Sequence, residues 1–189
     1  MMDFSNLTIQ TQFCVYTPIS REDSSAIIDI RESNNRSVLN KISGSISQQN
    51  TYFDDYEKKF NDSIEIYFKV LEPLGKKPLG LVRLTELNED HRFNFQSLIF
   101  KETSPPFMSI DAIFTMYEIG FIKFDKDICG PWMVPREGKK IYNLHKKMDI
   151  ATEVMANEKF YYFVVTKDRF LERREYFKNF GFGLKSIGV

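Results

Sequence analysis

Sulfur and imidazole are scarce in this chain of 189 residues, which holds 2 cysteines and 2 histidines. Cys14 and Cys129 stand far apart, each in an apolar run where a thiol serves as a small hydrophobe, so no disulfide framework is expected. With so few soft ligands and no close-spaced ligand pair, a structural zinc site has almost nothing to be built from, and no metal is expected in the chemistry. Net charge is missing too: 26 Lys and Arg balance 26 Asp and Glu. No global field gathers nucleic acid or an anionic membrane, so neither is expected as a partner. Nor is any apolar run long enough to span a bilayer. The start, Met1-Met2-Asp3-Phe4-Ser5-Asn6, lacks the basic and apolar blocks of a secretion signal, and a cytoplasmic protein is expected.

What the chain does have is aromatic bulk, with 18 Phe and 9 Tyr against 1 Trp. Aromatics in such numbers point first to a large core. The length suits one domain over residues 1–189, with no repeat or low-complexity linker inside it. Gln12 to Thr17 reads as a short strand closed by Pro18, and Ser20 as the N-cap of a helix carrying Ala26, Ile27 and Ile30. Arg31 to Ser47 is polar, a loop or broken helix. Tyr52, Phe53, Tyr56 and Phe60 then share one face of a second helix.

From Ile64 the apolar period shortens to two. Ile64 to Val70, Leu79 to Leu87 and Phe93 to Phe100 read as an antiparallel meander. Ile110 to Phe124 is a helix apolar nearly all round, which should be covered on most sides. It supplies the crossover that would let Phe93 to Phe100 and Ile128 to Val134 lie parallel. The remaining pieces are a helix over Lys139 to Met148, a hairpin of Thr152 to Ala156 and Phe160 to Thr166, and a charged helical extension over 168–185.

One stretch carries more than fold information: Val134-Pro135-Arg136-Glu137-Gly138-Lys139-Lys140-Ile141-Tyr142-Asn143-Leu144-His145-Lys146-Lys147-Met148-Asp149-Ile150. Val134, Leu144, His145 and Lys147 fit a pattern of the GCN5-related N-acetyltransferases, which this segment resembles. Gly138 stands where Asn is usual, Ile141 where Ala is, and Asp149-Ile150 where Gly-Phe is. The resemblance covers most of Gln12 to Thr166. It implies an α/β (α+β) fold, a mixed, mostly antiparallel seven-stranded sheet flanked by helices. It also implies acetyl-CoA as co-substrate, a small-molecule amine as acceptor, direct transfer without a covalent enzyme intermediate, and a homodimer as one arrangement.

Residue by residue, the resemblance places the pantetheine arm on the strand around Ser97, Leu98 and Ile99. The pyrophosphate falls at the following helix start, on Thr103, Ser104, Phe107, Met108 and Ser109, because free amides and the helix dipole favour an anion there. The usual glycine-rich phosphate loop is replaced by Ser104-Pro105-Pro106-Phe107-Met108-Ser109, and proline brings no amide hydrogen. His145 holds the position of the residue that protonates the departing thiolate, an imidazole near its ordinary pKa being able to give or take a proton. Tyr142, one turn earlier, is the alternative donor. Glu86 and Glu65 are candidate bases, with Glu86 preferred. Arg31, Asn35, Asn40 and Ser43 stand where the acceptor pocket is usual and suit hydroxyls and phosphates. The polar loop and the aromatic Phe160-Tyr161-Tyr162-Phe163 resemble members that acetylate 4-amino sugars on nucleotides for surface polysaccharides. Two alternatives stay open: an acetyltransferase for protein N-termini or other small amines, and a non-catalytic CoA-binding or interaction module.

Overall fold

The computed structural model describes residues 7–33, 46–75 and 77–188. Its elements run β1 (Thr8–Gln10), β2 (Val15–Pro18), a 3-10 turn (Arg21–Asp23), α1 (Ser24–Glu32), α2 (Ile46–Asn61), β3 (Ile66–Leu71), β4 (Pro78–Thr85) and β5 (Arg92–Phe100). Next come α3 (Pro106–Glu118) with a π-helical turn (Ile119–Lys123), β6 (Ile128–Pro135), α4 (Lys139–Met148), β7 (Thr152–Ala156), β8 (Phe160–Thr166), α5 (Lys167–Lys178) and β9 (Ser186–Gly188). The strands form one 9-stranded sheet in the order β7-β8-β6-β5-β4-β3-β2-β1-β9. Every neighbouring pair is antiparallel except β5 and β6, which are parallel and joined by the α3 crossover.

The period of two decides which helix meets which face of the sheet. Tyr67, Leu81 and Ile99 pack under α1 and α2 with Ile27, Ile30, Phe53 and Tyr56. Ile66, Phe68, Val70, Val82 and Leu84 point the other way, into the larger core around α3. The apolar character of α3 follows from double coverage: the sheet lies on one side, and α5 lies on the other through Phe114–Phe170 and Phe114–Phe177 ring contacts at 5.2 and 5.4 Å. Its one early acid, Asp111, is buried, where Thr11 and Tyr16 donate to its carboxylate at 2.8 and 2.6 Å. Cys14 and Cys129 are free and buried, and burial pushes both thiols up in pKa. No helix of the described residues is long and apolar enough to cross a membrane.

Two expectations change. The sheet has 9 strands where seven were expected, because β1 and β9 are three-residue pieces too short to show a period. The C-terminal helix also stops at Lys178 and does not continue to Lys185. Gly181 and Gly183 then take φ of 85° and 119°, and the chain turns back so that β9 pairs with β1. The left-handed region that those angles occupy is open to glycine at little cost and ends a helix.

The returning chain is fastened by Glu118, fully buried at the end of α3. Its carboxylate accepts from Arg174 Nε at 2.7 Å and from the Leu184 amide at 2.6 Å. Glu118→Ala leaves both donors without their acceptor and should cost about 3 kcal/mol in urea unfolding, the range for breaking a buried pair. Arg174→Ala should cost less, because Arg174 is 26% exposed whereas Glu118 is 0%. Equal, sub-kilocalorie losses in both variants would show that Glu118 is not the fastening.

Candidate active site

The site begins where β5 and β6 stop pairing. Their ladder holds only Arg92–Ile128 and Phe93–Cys129. Beyond it each strand carries a bulge. On β5, Gln96 faces Arg83 and Ile99 faces Leu81, so Ser97 and Leu98 share one partner, and Ser97 takes φ 52°. On β6, Gly130 and Pro131 fall between Cys129–Val165 and Trp132–Phe163. Bulges bend and twist the strand that carries them, and Pro131 has no amide hydrogen to offer β5. The strands therefore splay. Asn94 Nδ2, donating to the Pro131 carbonyl at 3.2 Å, is the bridge at the foot of the gap.

The gap is a cleft of about 340 Å³ lined by residues 94–98 of β5, residues 131–135 of β6, and His145. Backbone groups along a strand point alternately to its two edges, so β5 presents unpaired N–H and C=O groups to this space. Trp132 Nε1 and Asn94 Oδ1, both on the lining, have no hydrogen-bond partner among the described residues. An extended, amide-bearing arm fits such a wall, since it can pair with strand edges much as another strand would.

His145 reaches the cleft from α4. Tyr142, His145 and Met148 recur at helical spacing on the face that α4 turns to the sheet. His145 is 2% exposed, with its ring 4.1 Å from that of Trp132 and 5.9 Å from that of Phe163. Burial alone pushes its pKa down from 6.5 to about 3. The imidazole is therefore neutral at cellular pH, a correction to the expectation of an ordinary value. It brings a hydrogen bond to the cleft and no charge. Asp149 ends α4 with φ 53°, supplying the left-handed residue that glycine supplies in the family pattern, and Arg169 pairs with it at 2.7 Å.

On the opposite face of the sheet a polar network abuts the same cleft. Arg83 on β4 contacts Glu65 at 3.3 Å and donates to Gln96 Oε1 at 2.7 Å, and the Tyr52 hydroxyl donates to Glu65 at 3.4 Å. Burial drives the Tyr52 and Tyr67 hydroxyls up in pKa. Since Asn94 and Gln96 share this face while Phe95 and Trp132 belong to the α3 side, the cleft joins the two sides of the sheet.

No protein-family model matches the chain, and no curated protein matches it in sequence. Solved structures do match it in backbone. The apo form of FdhC, described as a nucleotide-linked sugar GNAT, has a TM-score of 0.83 and 20% identity, covering 94% of this chain and 99% of that one. A chimera of the spermidine N-acetyltransferase SpeG from Vibrio cholerae has a TM-score of 0.70 and 18% identity over 85% of this chain and 99% of its own. A ribosomal-protein-serine acetyltransferase structure from the same organism, so described provisionally, reaches 0.70 at 10% identity over 84% and 97%. The fold is that of the GCN5-related N-acetyltransferases.

Within this acetyltransferase fold, the site residues read from the sequence scatter. Ser97, Leu98 and His145 line the cleft. Ile99 does not; it is buried against α1 and α2. Thr103, Ser104, Phe107, Met108 and Ser109 surround the start of α3, but the anion site there is thin. Pro105 is the N-cap, Pro106 follows it, the Met108 amide already donates to the Pro105 carbonyl, and the Ser104 hydroxyl donates to Leu79. Tyr142 turns aside, donating to Glu153 at 3.0 Å. Glu86 stands at the closed end of the paired strands with φ 61° and pairs with Arg92 at 3.2 Å, away from the cleft. Arg31 closes α1 near Tyr67. Asn35, Asn40 and Ser43 lie outside the described residues.

Arg83, Gln96, Tyr52, Tyr67 and Trp132 escaped the sequence reading. Arg83 and Gln96 are polar positions within otherwise apolar strands, which was the available signal. Their partnership depends on β4–β5 register, and one residue of slip would send either to the other face. Among the described residues, no three His, Cys, Asp or Glu side chains gather so as to hold a metal ion.

Proposed function

We propose that the chain transfers an acetyl group from acetyl-CoA to an amine. The observation that carries this reading is the cleft between splayed parallel strands, walled by His145 on one face of the sheet and reached by the Gln96–Arg83–Glu65 network on the other. The amine nitrogen attacks the thioester carbonyl carbon, the carbon–sulfur bond breaks, and the thiolate takes up a proton as the amide forms. His145, neutral and dry, donates its N–H to the sulfur as negative charge develops there. A hydrogen bond to a forming anion strengthens in the transition state and so lowers the barrier. Glu65, connected through Arg83 to the cleft's edge, is the carboxylate placed to draw the amine's proton, a role for which Glu86 is badly placed.

For the acceptor we infer an amino sugar carried on a nucleotide. The nucleotide-linked sugar GNAT overlays more of this chain than the spermidine enzyme does, 94% against 85%. On the acceptor side, Arg31 and Arg83 suit an oxygen-rich ligand better than a polycation. The thin amide supply at α3 favours a second reading, a fold retained for interaction without catalysis.

Acetyl-CoA separates the two. Bound at about a hundred times its dissociation constant, it should stabilise the fold by about 2.7 kcal/mol, seen as a higher melting temperature. Release of free CoA thiol in the presence of amines then reads turnover. Neither a thermal shift nor calorimetric heat at millimolar acetyl-CoA would favour the interaction module.

A further inference from the structure

Leaving a buried donor without a partner costs about 1–3 kcal/mol. Two such donors nevertheless stand together on the acceptor side: the Tyr67 hydroxyl and Arg83 Nε have no hydrogen-bond partner among the described residues. Tyr67 is 3% exposed, and the Arg83 guanidinium lies over its ring at 5.8 Å. Both terminal nitrogens are engaged, Nη1 with Glu65 at 3.3 Å and Nη2 with Gln96 at 2.7 Å, which holds the guanidinium plane with Nε left over. Tyr67 pairs with Arg83 across β3 and β4, and Arg83 pairs with Gln96 across β4 and β5, so Arg83 sits one strand in from the cleft and Tyr67 two. Ser97, on the cleft lining, and Arg31, at the end of α1, both approach the Tyr67 hydroxyl closely enough to offset part of its burial, yet neither makes a hydrogen bond of good geometry to it.

We propose that Tyr67 and Arg83 form a pocket for a hydrogen-bond-accepting oxygen carried beside the acceptor's amine, and so select an oxygen-bearing amine over a polyamine. This rests on the acetyl-transfer reading above. Arg83 offers only donors and a positive charge. An oxygen satisfies it, whereas an ammonium is repelled. The unpaired donors are tolerated in the free protein because the acceptor completes them, and an analogue lacking that oxygen leaves them buried and unmet.

Tyr67→Phe removes the hydroxyl and little else. The test compares wild type and variant on three amines: a free amino sugar, the same sugar linked to a nucleoside diphosphate, and spermidine. For the oxygen-bearing acceptors, KM should rise about three- to tenfold in the variant, the usual worth of one neutral hydrogen bond. Acetyl-CoA affinity should not change. The urea midpoint should stay level or rise, because the hydroxyl has no well-formed hydrogen bond to lose; a merely structural role would lower it. If the free sugar suffices, the pocket holds a ring hydroxyl; if only the nucleotide-linked sugar reacts, it holds a phosphoryl oxygen. Spermidine used more efficiently than both sugars, or an unchanged KM in Tyr67→Phe, overturns the proposal. Should no amine react while acetyl-CoA binds, acetyl transfer itself fails. The pocket is then judged by titrating the nucleotide-linked amino sugar into CoA-saturated protein: binding weakened by Tyr67→Phe upholds it, and absence of binding overturns it.

Discussion

His145→Ala should lower turnover about a hundredfold while leaving acetyl-CoA affinity near that of the wild type. The size follows from the state of the ring. A charged general acid can contribute up to about ten-thousandfold. Burial keeps this imidazole neutral, with its pKa pushed down to about 3, so what is lost is one hydrogen bond to a developing anion. Such bonds contribute about 1.5–3 kcal/mol, or roughly ten- to a hundred-and-fifty-fold. The loss belongs in kcat, because the sulfur carries little charge in the ground state. His145→Tyr should regain part of the rate, since a phenol is also a neutral donor. Single-turnover rates for the three proteins, from about pH 6 to about pH 9, give the answer. A wild-type profile that bends near pH 6.5 in step with His145, absent from the variants, would mean that the ring titrates normally and that the neutral-donor account is wrong.

The same burial makes the fold sensitive to acid. In the unfolded chain His145 takes a proton near 6.5, but in the folded protein not until about 3. Between those values the unfolded state binds the extra proton, so stability is full above the unfolded pKa and falls as pH drops toward the folded one. At 1.36 kcal/mol per unit, the loss attributable to His145 is about 2 kcal/mol by pH 5 and on the order of 5 kcal/mol when complete. Asp111 works in the opposite direction, because burial raises its pKa and its folded form binds a proton more readily than the unfolded one. A comparison with His145→Gln removes that background: urea unfolding at pH 7 and pH 5 should show wild type losing about 2 kcal/mol more than the variant. Identical pH slopes would mean that His145 is hydrated in the folded state and able to accept its proton there.

Local chemistry explains which features could be read from the chain. The alternation Ile66, Phe68, Val70 and the all-round apolar face of Ile113, Phe114 and Tyr117 register burial residue by residue. Strand, crossover helix, parallel strand was therefore legible, and so was the fold that the solved structures share. The pattern of α4 sets its bounds, Lys139–Met148, and His145 follows from its place on that helix. β1 and β9 were not legible. At three residues each they carry no periodic signal, and they exist because a returning C-terminus finds an open edge.

The candidate site divides along the same line. The sequence by itself determined the layering of helices on the sheet, the parallel pair at its middle, and the helix that brings a histidine to it, because each depends on patterning within one segment. Only the tertiary structure decided that two bulges part the strands, that Trp132 and Phe163 hold His145 neutral, and that Arg83 meets Gln96 and Glu65 beside an unpaired Tyr67 hydroxyl. It also turned Tyr142 to Glu153 and Glu86 to Arg92. Register, burial and ion pairing are relations between segments distant in the chain, and a one-residue slip in any of them would have built a different site from the same residues.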